Sequence, residues 1–281
     1  MNDIYEIQDK WATKTSKGIV SKGVYINKST GKRYFVKGNS ELGFLEPISE
    51  EIAYRIGKIV GIDTLPCKII PREKFPEINV YGDLEFVSIS PIVSYNITQF
   101  YEYAYTVVGK EEFDYLEVYK DMGLSQNHLY KMLLLDALVG NEDRHLNNLD
   151  VYYDYTENKV KNAVILDLGA SLLYNVSERD LKIYEGSKIG PDKSKPFYKT
   201  HDKQISKIKS RLDKGSTDIE IKYSLEEFKI LSSDIVEDVG RRSNLSSLRI
   251  ESIKSYLNQR YKYYFLGDDS KHETNKIDLI W

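Results

Sequence analysis

Three oxygen-bearing side chains in the middle of the chain have the types and spacing of a site that handles phosphate with a hard metal ion. Residues 140–148, the central loop, read Gly-Asn-Glu-Asp-Arg-His-Leu-Asn-Asn, and Asp167 opens a later Asp-Leu-Gly triplet. Carboxylate and amide oxygens suit Mg²⁺ better than zinc. In phosphoryl transfer a loop aspartate takes the proton of the acceptor hydroxyl, and a following asparagine and a second aspartate hold the metal. The order Asp143, Asn148, Asp167 therefore predicts a phosphoryl-transfer site with Asp143 as the catalytic residue.

A hairpin after the central loop is expected to bring these side chains together. Its strands are predicted at 149–153 and 160–166, around a short turn. Symmetric pairing of these strands would put Asn148 directly opposite Asp167, about 5 Å apart. Asp143 would then lie in the loop beside them, so that two carboxylates and one amide oxygen converge.

The helix that precedes the central loop should position it. Residues 125–139 have apolar side chains at helical spacing, with Ser125 as a candidate N-cap and Gly140 as the stop. Asp136 lies within this apolar stretch, seven residues before Asp143. We interpret Asp136 as a buried hydrogen-bonding residue that supports the loop, not as a catalyst.

The N-terminal third of the chain is expected to be rich in strands. Residues 22–37 alternate apolar and polar side chains around a Ser-Thr-Gly-Lys turn, a pattern typical of a hairpin. A helix should follow, from Glu46 to about Gly61. Further strands are predicted at 65–70 and 84–93.

Helices should dominate the rest of the chain. Outside the hairpin, helical patterns occur in four further segments, 99–108, 111–121, 225–239 and 248–264. The predicted fold class is therefore α+β. A small β-rich lobe of residues 1–93 would be followed by a larger, mostly helical lobe of residues 94–281.

The motif resembles that of a known enzyme family. Gly-Asn-x-Asp-Arg-His-x-x-Asn at 140–148, followed by the triplet at Asp167, is similar to the motif of the HipA-like Ser/Thr kinases, including their compact CtkA-type members. Asp-Arg-His-x-x-Asn also occurs in phosphoinositide kinases. The resemblance runs from about residue 18 to about residue 206 and is strongest at 132–172. It implies a bilobal protein-kinase-like fold, the use of ATP and Mg²⁺, and a protein substrate.

The resemblance also implies residues that bind ATP. A strand lysine should contact the phosphates and pair with a helix glutamate, and Lys37 fits this lysine, with Glu50 as its partner and Glu51 as the alternative. The phosphate loop should precede the lysine, within residues 15–23. Its candidate ATP contacts are Ser16, Lys17, Gly18 and Ser21. Because the family modifies a serine of this loop, we expect autophosphorylation of one of the two serines.

The sequence departs from full-length HipA toxins in two ways. We expect it to lack their extra N-terminal subdomain, which leaves open whether an antitoxin or another regulatory partner binds it. The proposed phosphate loop also lacks a clean Gly-x-Gly-x-x-Gly pattern. The individual ATP contacts in that loop therefore depend on position alone.

Several of these residues also have ordinary structural explanations. His145 could be a zinc ligand, but no cysteine or second histidine lies near it in sequence, so we expect a supporting role within the loop. Arg144 could pair with a phosphate on the basic segment 187–214 or with a nearby carboxylate. Lys37 could be an edge-strand lysine, and Glu50 could be a first-turn charge favoured by the helix dipole.

Three other functions are compatible with the motif. A lipid or small-molecule kinase of the same superfamily would keep the fold and change the acceptor. A metal-dependent phosphoesterase usually needs several histidine ligands, and the chain has four histidines in all. A pseudokinase would bind partners without chemistry, but Lys37, Asp143, Asn148 and Asp167 are all present.

Composition and charge narrow the classes further. The 281 residues are 41% hydrophobic with a net charge of −3, which argues against disorder and against general nucleic-acid binding. The chain has a single cysteine, Cys67, it starts with acidic and polar residues, and it has no run of about 20 apolar residues. These features predict a cytoplasmic protein without a membrane span.

Residues 187–214 carry nine Lys and Arg against three Asp. This basic segment is either a solvated loop or a dock for an acidic or phosphorylated partner.

Overall fold

The structure is a computed structural model that describes residues 4–12, 20–93, 97–109, 114–183 and 193–267, without the side chains of residues 9–12, 107–108 and 183. A β-rich N-terminal region is followed by a helical C-terminal region. This arrangement confirms the predicted α+β class.

A five-stranded antiparallel sheet forms the N-terminal region. Its strands are β1 (Tyr5–Ala12), β2 (Ser21–Asn27), β3 (Arg33–Lys37), β4 (Lys68–Pro71) and β5 (Phe86–Pro91), in the spatial order β1-β2-β3-β5-β4. The β2–β3 hairpin confirms the prediction for residues 22–37. The Asn27 side chain holds its turn, because Oδ1 accepts the backbone N–H groups of Ser29 and Thr30. Gly31 completes the turn at φ 67°.

Helix α1 (Glu46–Ile59) follows the hairpin and carries the two candidate glutamates. Pro47 lies in its first turn, where a missing N–H costs nothing. Both Glu50 and Glu51 are buried on this helix. Since buried carboxylates need partners, their contacts decide which of the two belongs to the site.

Helices dominate the C-terminal region. They are α2 (Phe100–Val108), α3 (Tyr115–Asp121), α4 (Gln126–Val139), α5 (Glu178–Ile183), α6 (His201–Lys209), α7 (Leu225–Arg242) and α8 (Ser247–Tyr264). A three-stranded sheet accompanies them, formed by β6 (Ile97–Gln99), β7 (Asp150–Asp154) and β8 (Lys159–Asn162). Helix α6 lies in the basic segment, so the solvated-loop interpretation is wrong for these nine residues. It forms a helix because Thr200 caps its first turn and because its own residues Gln204 and Ile208 are buried against the rest of the protein.

Helix α4 is the centre of the main hydrophobic core, which runs without interruption from α1 through α4 to α7 and α8. The helix begins and ends as predicted, with the Ser125 hydroxyl accepting the N–H of His128 and Gly140 following its last residue. Gly140 has φ 66°, and a Cβ there would lie 1.7 Å from the Tyr256 hydroxyl. Only glycine therefore lets the chain leave α4 and enter the central loop at this point.

The β7–β8 hairpin has a different register from the predicted one. Val151 pairs with Asn162 and Asp154 with Lys159, so Asn148 is not opposite Asp167. The Asp154 side chain fixes this turn by accepting the N–H groups of the two residues that follow Tyr155. The second strand also ends earlier than predicted.

A competing partner explains the early end of β8. The carbonyl of Ile165 accepts the N–H of Leu65 at 2.7 Å, and Thr64 forms a parallel bridge to Ile165. Residues after Ala163 therefore leave the hairpin and join the N-terminal region. This connection carries the chain from the C-terminal hairpin towards the sheet that holds Lys37.

Within the described ranges of the chain, none of the helices has the length and apolar character that crossing a bilayer requires.

Candidate active site

A buried cluster at the end of α4 holds the central loop in place. We call Asp136, Asn141 and Arg144 the support cluster. The Asp136 carboxylate accepts from Arg144 Nε at 2.9 Å, from Arg144 Nη2 at 3.0 Å and from Asn141 Nδ2 at 2.9 Å. All three residues have 0% exposure. Burial lowers the pKa of Arg144, but the charge and hydrogen bonds of Asp136, together with the charges of Asp167 and Asp150, raise it overall.

Arg144 also joins the central loop to the strand that leads to Asp167. Its Nη1 donates to the carbonyl of Leu166 at 2.7 Å and to the carbonyl of Asn148 at 3.3 Å. The two segments that the hairpin pairing was expected to align are thus bridged by a guanidinium instead. Of the two partners considered for Arg144, the nearby carboxylate of Asp136 is the one that the structure contains.

Asp143 points the other way, towards solvent. Its side chain is 52% exposed, while its backbone N–H donates to Asn141 Oδ1 at 3.2 Å. Asn148 Nδ2 donates to the carbonyl of Asp143 at 3.1 Å. Because the amide nitrogen of Asn148 is used in this way, its Oδ1 is the atom that can face a cation.

Asp167 meets the N-terminal sheet through Lys37. The Lys37 ammonium lies 2.6 Å from Glu50 Oε1 and 3.1 Å from Asp167 Oδ1, and Ser88 Oγ donates to the other Glu50 oxygen at 2.8 Å. Burial lowers the pKa of Lys37. The charges of Asp167 and Glu50 and the hydrogen bond to Glu50 together raise this pKa by more than burial lowers it, so the lysine stays protonated. The Lys37 charge in turn lowers the pKa of Asp167.

The backbone of Asp167 has an uncommon conformation, with φ 61° in a residue other than glycine. Such conformations cost energy and cluster at binding and catalytic sites. Here the conformation accompanies the contact of the carboxylate with Lys37. Asp167 thus occupies a strained position directly beside the ion pair between Lys37 on β3 and Glu50 on α1.

The structure distinguishes Glu50 from Glu51. Glu51 Oε2 accepts the N–H of Ile69 at 2.7 Å, and its other oxygen pairs with Arg242 on α7. Glu51 therefore ties α1 to β4 and α7, whereas Glu50 faces Lys37. The spacing of charges in the sequence could not separate the two residues.

The predicted phosphate loop is largely outside the described part of the chain. Ser16, Lys17 and Gly18 are not described. Ser21 opens strand β2 and is 2% exposed, so its placement in a loop is wrong. Its carbonyl accepts the N–H of Gly38 at 2.9 Å, which extends the strand pairing to this residue.

His145 lies next to Asp143, with Nε2 4.0 Å from Asp143 Oδ2. Its backbone N–H donates to the carbonyl of Asp143 at 2.8 Å. Nδ1 is buried and, among the described residues, has no hydrogen-bond partner. The supporting role of this ring stays a prediction.

Sequence reasoning missed three charged residues of this site. Lys22 lies directly opposite Lys37 across the β2–β3 hairpin, and the hairpin pattern could have indicated it. Burial lowers the pKa of Lys22, as does the Lys37 charge, against the opposing effect of Asp167. The second missed residue is Asp150, which opens β7. Burial raises the pKa of its carboxyl to about 6, with the Arg144 charge opposing this rise and the Asp167 charge assisting it.

The third missed residue is Lys195, whose ammonium lies 2.7 Å from Asp143 Oδ1. It belongs to the basic segment, far from the central loop in sequence. Among nine basic residues in that segment, no local pattern singles it out. Only the fold brings it to Asp143.

The donor set fits a magnesium ion that shares its ligands with phosphate. Mg²⁺ is usually bound by one or two carboxylates together with substrate phosphates and water, and Asp167 with Asn148 would supply the protein oxygens. In the ranges of the chain described above, three or more His, Cys, Asp or Glu side chains are nowhere grouped to hold a metal on their own.

Comparison with known proteins bears on the fold. No protein-family model matches the chain, and no curated protein matches it. Among solved structures it is similar to the proinflammatory kinase CtkA of Helicobacter pylori, with 15% identity and a TM-score of 0.58 over 91% of both chains. Two Golgi casein kinase structures, the first with Mn and ADP bound, match with TM-scores of 0.46 and 0.44. Their identities are 10% and 9%, over 96% and 97% of this chain and 75% and 74% of theirs. The likeness to CtkA shows that the chain has the predicted protein-kinase-like fold.

Proposed function

We propose that the protein is an ATP- and Mg²⁺-dependent Ser/Thr protein kinase of the HipA-like type. The observation that carries the proposal is the position of the Lys37 ammonium between Glu50 at 2.6 Å and Asp167 at 3.1 Å. In kinases a strand lysine that is fixed by a helix glutamate contacts the nucleotide phosphates, and a nearby aspartate holds the metal.

Each residue has a defined task in this proposal. Lys37, fixed by Glu50, would bind the phosphates of ATP. Asp167 and Asn148 would hold Mg²⁺, which when bound neutralises charge on the transferred phosphate. The acceptor hydroxyl oxygen forms a bond to the γ-phosphorus while the bond to the bridging oxygen of ADP breaks. Asp143 accepts the hydroxyl proton.

The Lys37–Glu50 pair favours phosphoryl transfer from a nucleotide over phosphoester hydrolysis. A metal-dependent phosphoesterase has no need of a lysine held for a triphosphate tail, whereas a kinase does. The complete set of Lys37, Asp143, Asn148 and Asp167 supports an active enzyme over a pseudokinase. The Ser/Thr acceptor, and an antitoxin or other regulatory partner, rest on the family resemblance.

The cellular location is part of the same proposal. Cys67 is the single cysteine of the chain, and it is a buried free thiol. A chain without disulfides suits a reducing compartment. We therefore extend the proposal to a cytoplasmic location.

Transfer from labelled ATP tests the function. Purified protein would be incubated with γ-labelled ATP, Mg²⁺ and a mixture of acceptor proteins and inositol lipids. We expect label on protein, and a loss of about 10²–10⁴-fold in rate for Asp143→Ala, because the proton acceptor is removed. Asp63→Ala is the matched control, since the Asp63 side chain is 96% exposed and its removal should leave the rate unchanged.

The distribution of label decides between the alternatives. Label on lipid alone would replace the protein acceptor with a lipid one, and label on neither would contradict the kinase. Peptide mapping of the labelled protein also locates autophosphorylation. Because Ser21 is buried in β2, we expect the phosphate on Ser16.

A further inference from the structure

The catalytic carboxylate is paired with a lysine from a distant segment. Lys195 Nζ lies 2.7 Å from Asp143 Oδ1, and about half of each side chain is exposed. An exposed pair of this kind contributes little to stability. Its position on the residue proposed to accept the substrate proton is therefore better explained by chemistry than by folding.

The turn that carries Lys195 is built to hold it there. The side chain of Gln204 on α6 is fully buried. Its Oε1 accepts the N–H groups of Phe197 at 3.1 Å and Tyr198 at 3.3 Å, and its Nε2 donates to the Lys195 carbonyl at 2.9 Å. Ser194 Oγ closes the turn by donating to the carbonyl of Tyr198 at 2.8 Å. A buried amide that makes three such bonds fixes the backbone from which Lys195 extends.

Helix α6 in turn is fastened to the core that carries the central loop. Thr200 caps the helix, and Ile208 packs in the main core around α4. Helix α4 ends at the central loop and contributes Asp136 to the support cluster. Lys195 and Asp143 are thus presented to each other by two elements that pack on the same core.

The central loop itself supplies no lysine or arginine to the solvent side of Asp143. Its one arginine, Arg144, is buried against Asp136. Lys37 is held by Glu50 and Asp167 on the nucleotide side of the site. Negative charge on the transferred phosphoryl group needs a preorganised cation near the acceptor, and Lys195 is the described lysine that contacts Asp143.

We propose that Lys195 is a catalytic residue of the phosphoryl transfer. The inference rests on the proposed kinase function. The Lys195 ammonium binds Asp143 Oδ1 and so orients the carboxylate, while Oδ2 takes the proton of the acceptor hydroxyl. As the hydroxyl oxygen bonds to the γ-phosphorus and ADP leaves, the same ammonium neutralises the phosphoryl oxygens. Lys195 keeps its own proton throughout.

Steady-state kinetics of Lys195→Ala test this role. We expect kcat to fall about 10²-fold, with the Kd for Mg²⁺ and a non-hydrolysable ATP analogue unchanged, because Lys195 acts on the transferred group and not on nucleotide binding. Lys195→Arg should recover part of the rate, since it keeps the charge. Lys199→Ala, which removes an exposed lysine from the same turn, should behave as wild type.

Gln204→Leu provides a second, independent variant. It removes the bonds that hold the turn but keeps Lys195, so we expect a smaller fall in kcat with the same unchanged Kd. Melting curves of all variants establish that they are folded. The Gln204 variant thereby tests whether the buried amide acts through the lysine.

Each outcome has one meaning. An active wild type with an unchanged Lys195→Ala rate overturns the inference and leaves the kinase intact. A faster Lys195→Ala enzyme also overturns it, because the lysine would then block Asp143 until substrate arrives. A wild type that transfers no phosphate overturns the kinase function and this inference together.

Discussion

Two neighbouring residues of the central loop have opposite environments. Arg144 is completely buried and bonds Asp136 within the protein. Asp143 is half exposed and bonds Lys195 at the surface. Both pairs join a carboxylate to a cation at 2.7–2.9 Å, so distance alone does not distinguish them.

The difference separates structure from chemistry within one loop. A buried charge pair is costly to break because the remaining charge is left without a partner, so Arg144 and Asp136 fix the loop. An exposed pair exchanges readily with water and ligands and is worth about 0–1 kcal/mol. Asp143 therefore remains accessible from solvent, on a backbone that the buried pair of Arg144 and Asp136 holds in place.

The largest effect should come from breaking the buried pair. Arg144→Met leaves Asp136 without its main partner and removes the bond to the Leu166 carbonyl. We expect the free energy of unfolding to fall by about 3–5 kcal/mol, measured by urea denaturation followed by circular dichroism.

A double variant sharpens this prediction. Asp136→Leu combined with Arg144→Met removes both charges and should recover a substantial part of the lost stability, because no buried charge is left unpaired. A double variant no more stable than Arg144→Met would contradict the assignment of the loss to an uncompensated charge.

The stability of the protein should also depend on pH, through a buried histidine. His201 on α6 is fully buried, and neither ring nitrogen has a partner among the described residues. Burial, assisted by the nearby Arg260 charge, holds its pKa well below the usual value. Below about pH 6.5 this histidine binds a proton in the unfolded chain but stays neutral in the folded protein. The free energy of unfolding therefore falls as the pH is lowered.

His201→Phe should weaken that pH dependence. Between pH 6.5 and 4.5 we expect the variant to lose up to about 2–3 kcal/mol less than wild type. Some dependence should remain, because burial also lowers the pKa of His128 to about 4. Urea denaturation at a series of pH values measures the difference, and parallel curves for the two proteins would refute the role given to His201.

The smallest effect on stability should come from breaking the exposed pair of Asp143 and Lys195. Asp143→Asn breaks the pair with Lys195 but leaves no buried charge, so the free energy of unfolding should change by less than about 1 kcal/mol. Thermal melting measures this change. A loss comparable to that of Arg144→Met would mean that Asp143 is structural, which would remove the contrast between the two residues.

Local sequence signals predicted the supports of the site well. The cap at Ser125, the stop at Gly140 and the β2–β3 hairpin all depend on neighbours in the chain, and each occurs in the structure. The register of the β7–β8 hairpin failed because the Asp154 side chain sets the turn and Ile165 takes Leu65 as its partner. A partner one hundred residues away leaves no trace in a local pattern.

The chemical site was predictable in part for the same reason. Asp143, Asn148 and Asp167 follow a fixed spacing and order, so the motif is sufficient to propose them as site residues. Lys195 belongs to a segment whose many charges resemble a solvated face, and only the turn held by Gln204 distinguishes it. Residues that reach a site through tertiary packing are invisible to spacing.

A crystal structure with Mg²⁺ and a non-hydrolysable ATP analogue tests the central claim most directly. We expect the metal about 2.0–2.1 Å from oxygens of Asp167 and Asn148, with Lys37 on the phosphates and the terminal phosphate facing Asp143. A nucleotide whose phosphates lie elsewhere, or a metal that Asp167 and Asn148 do not touch, would contradict the account.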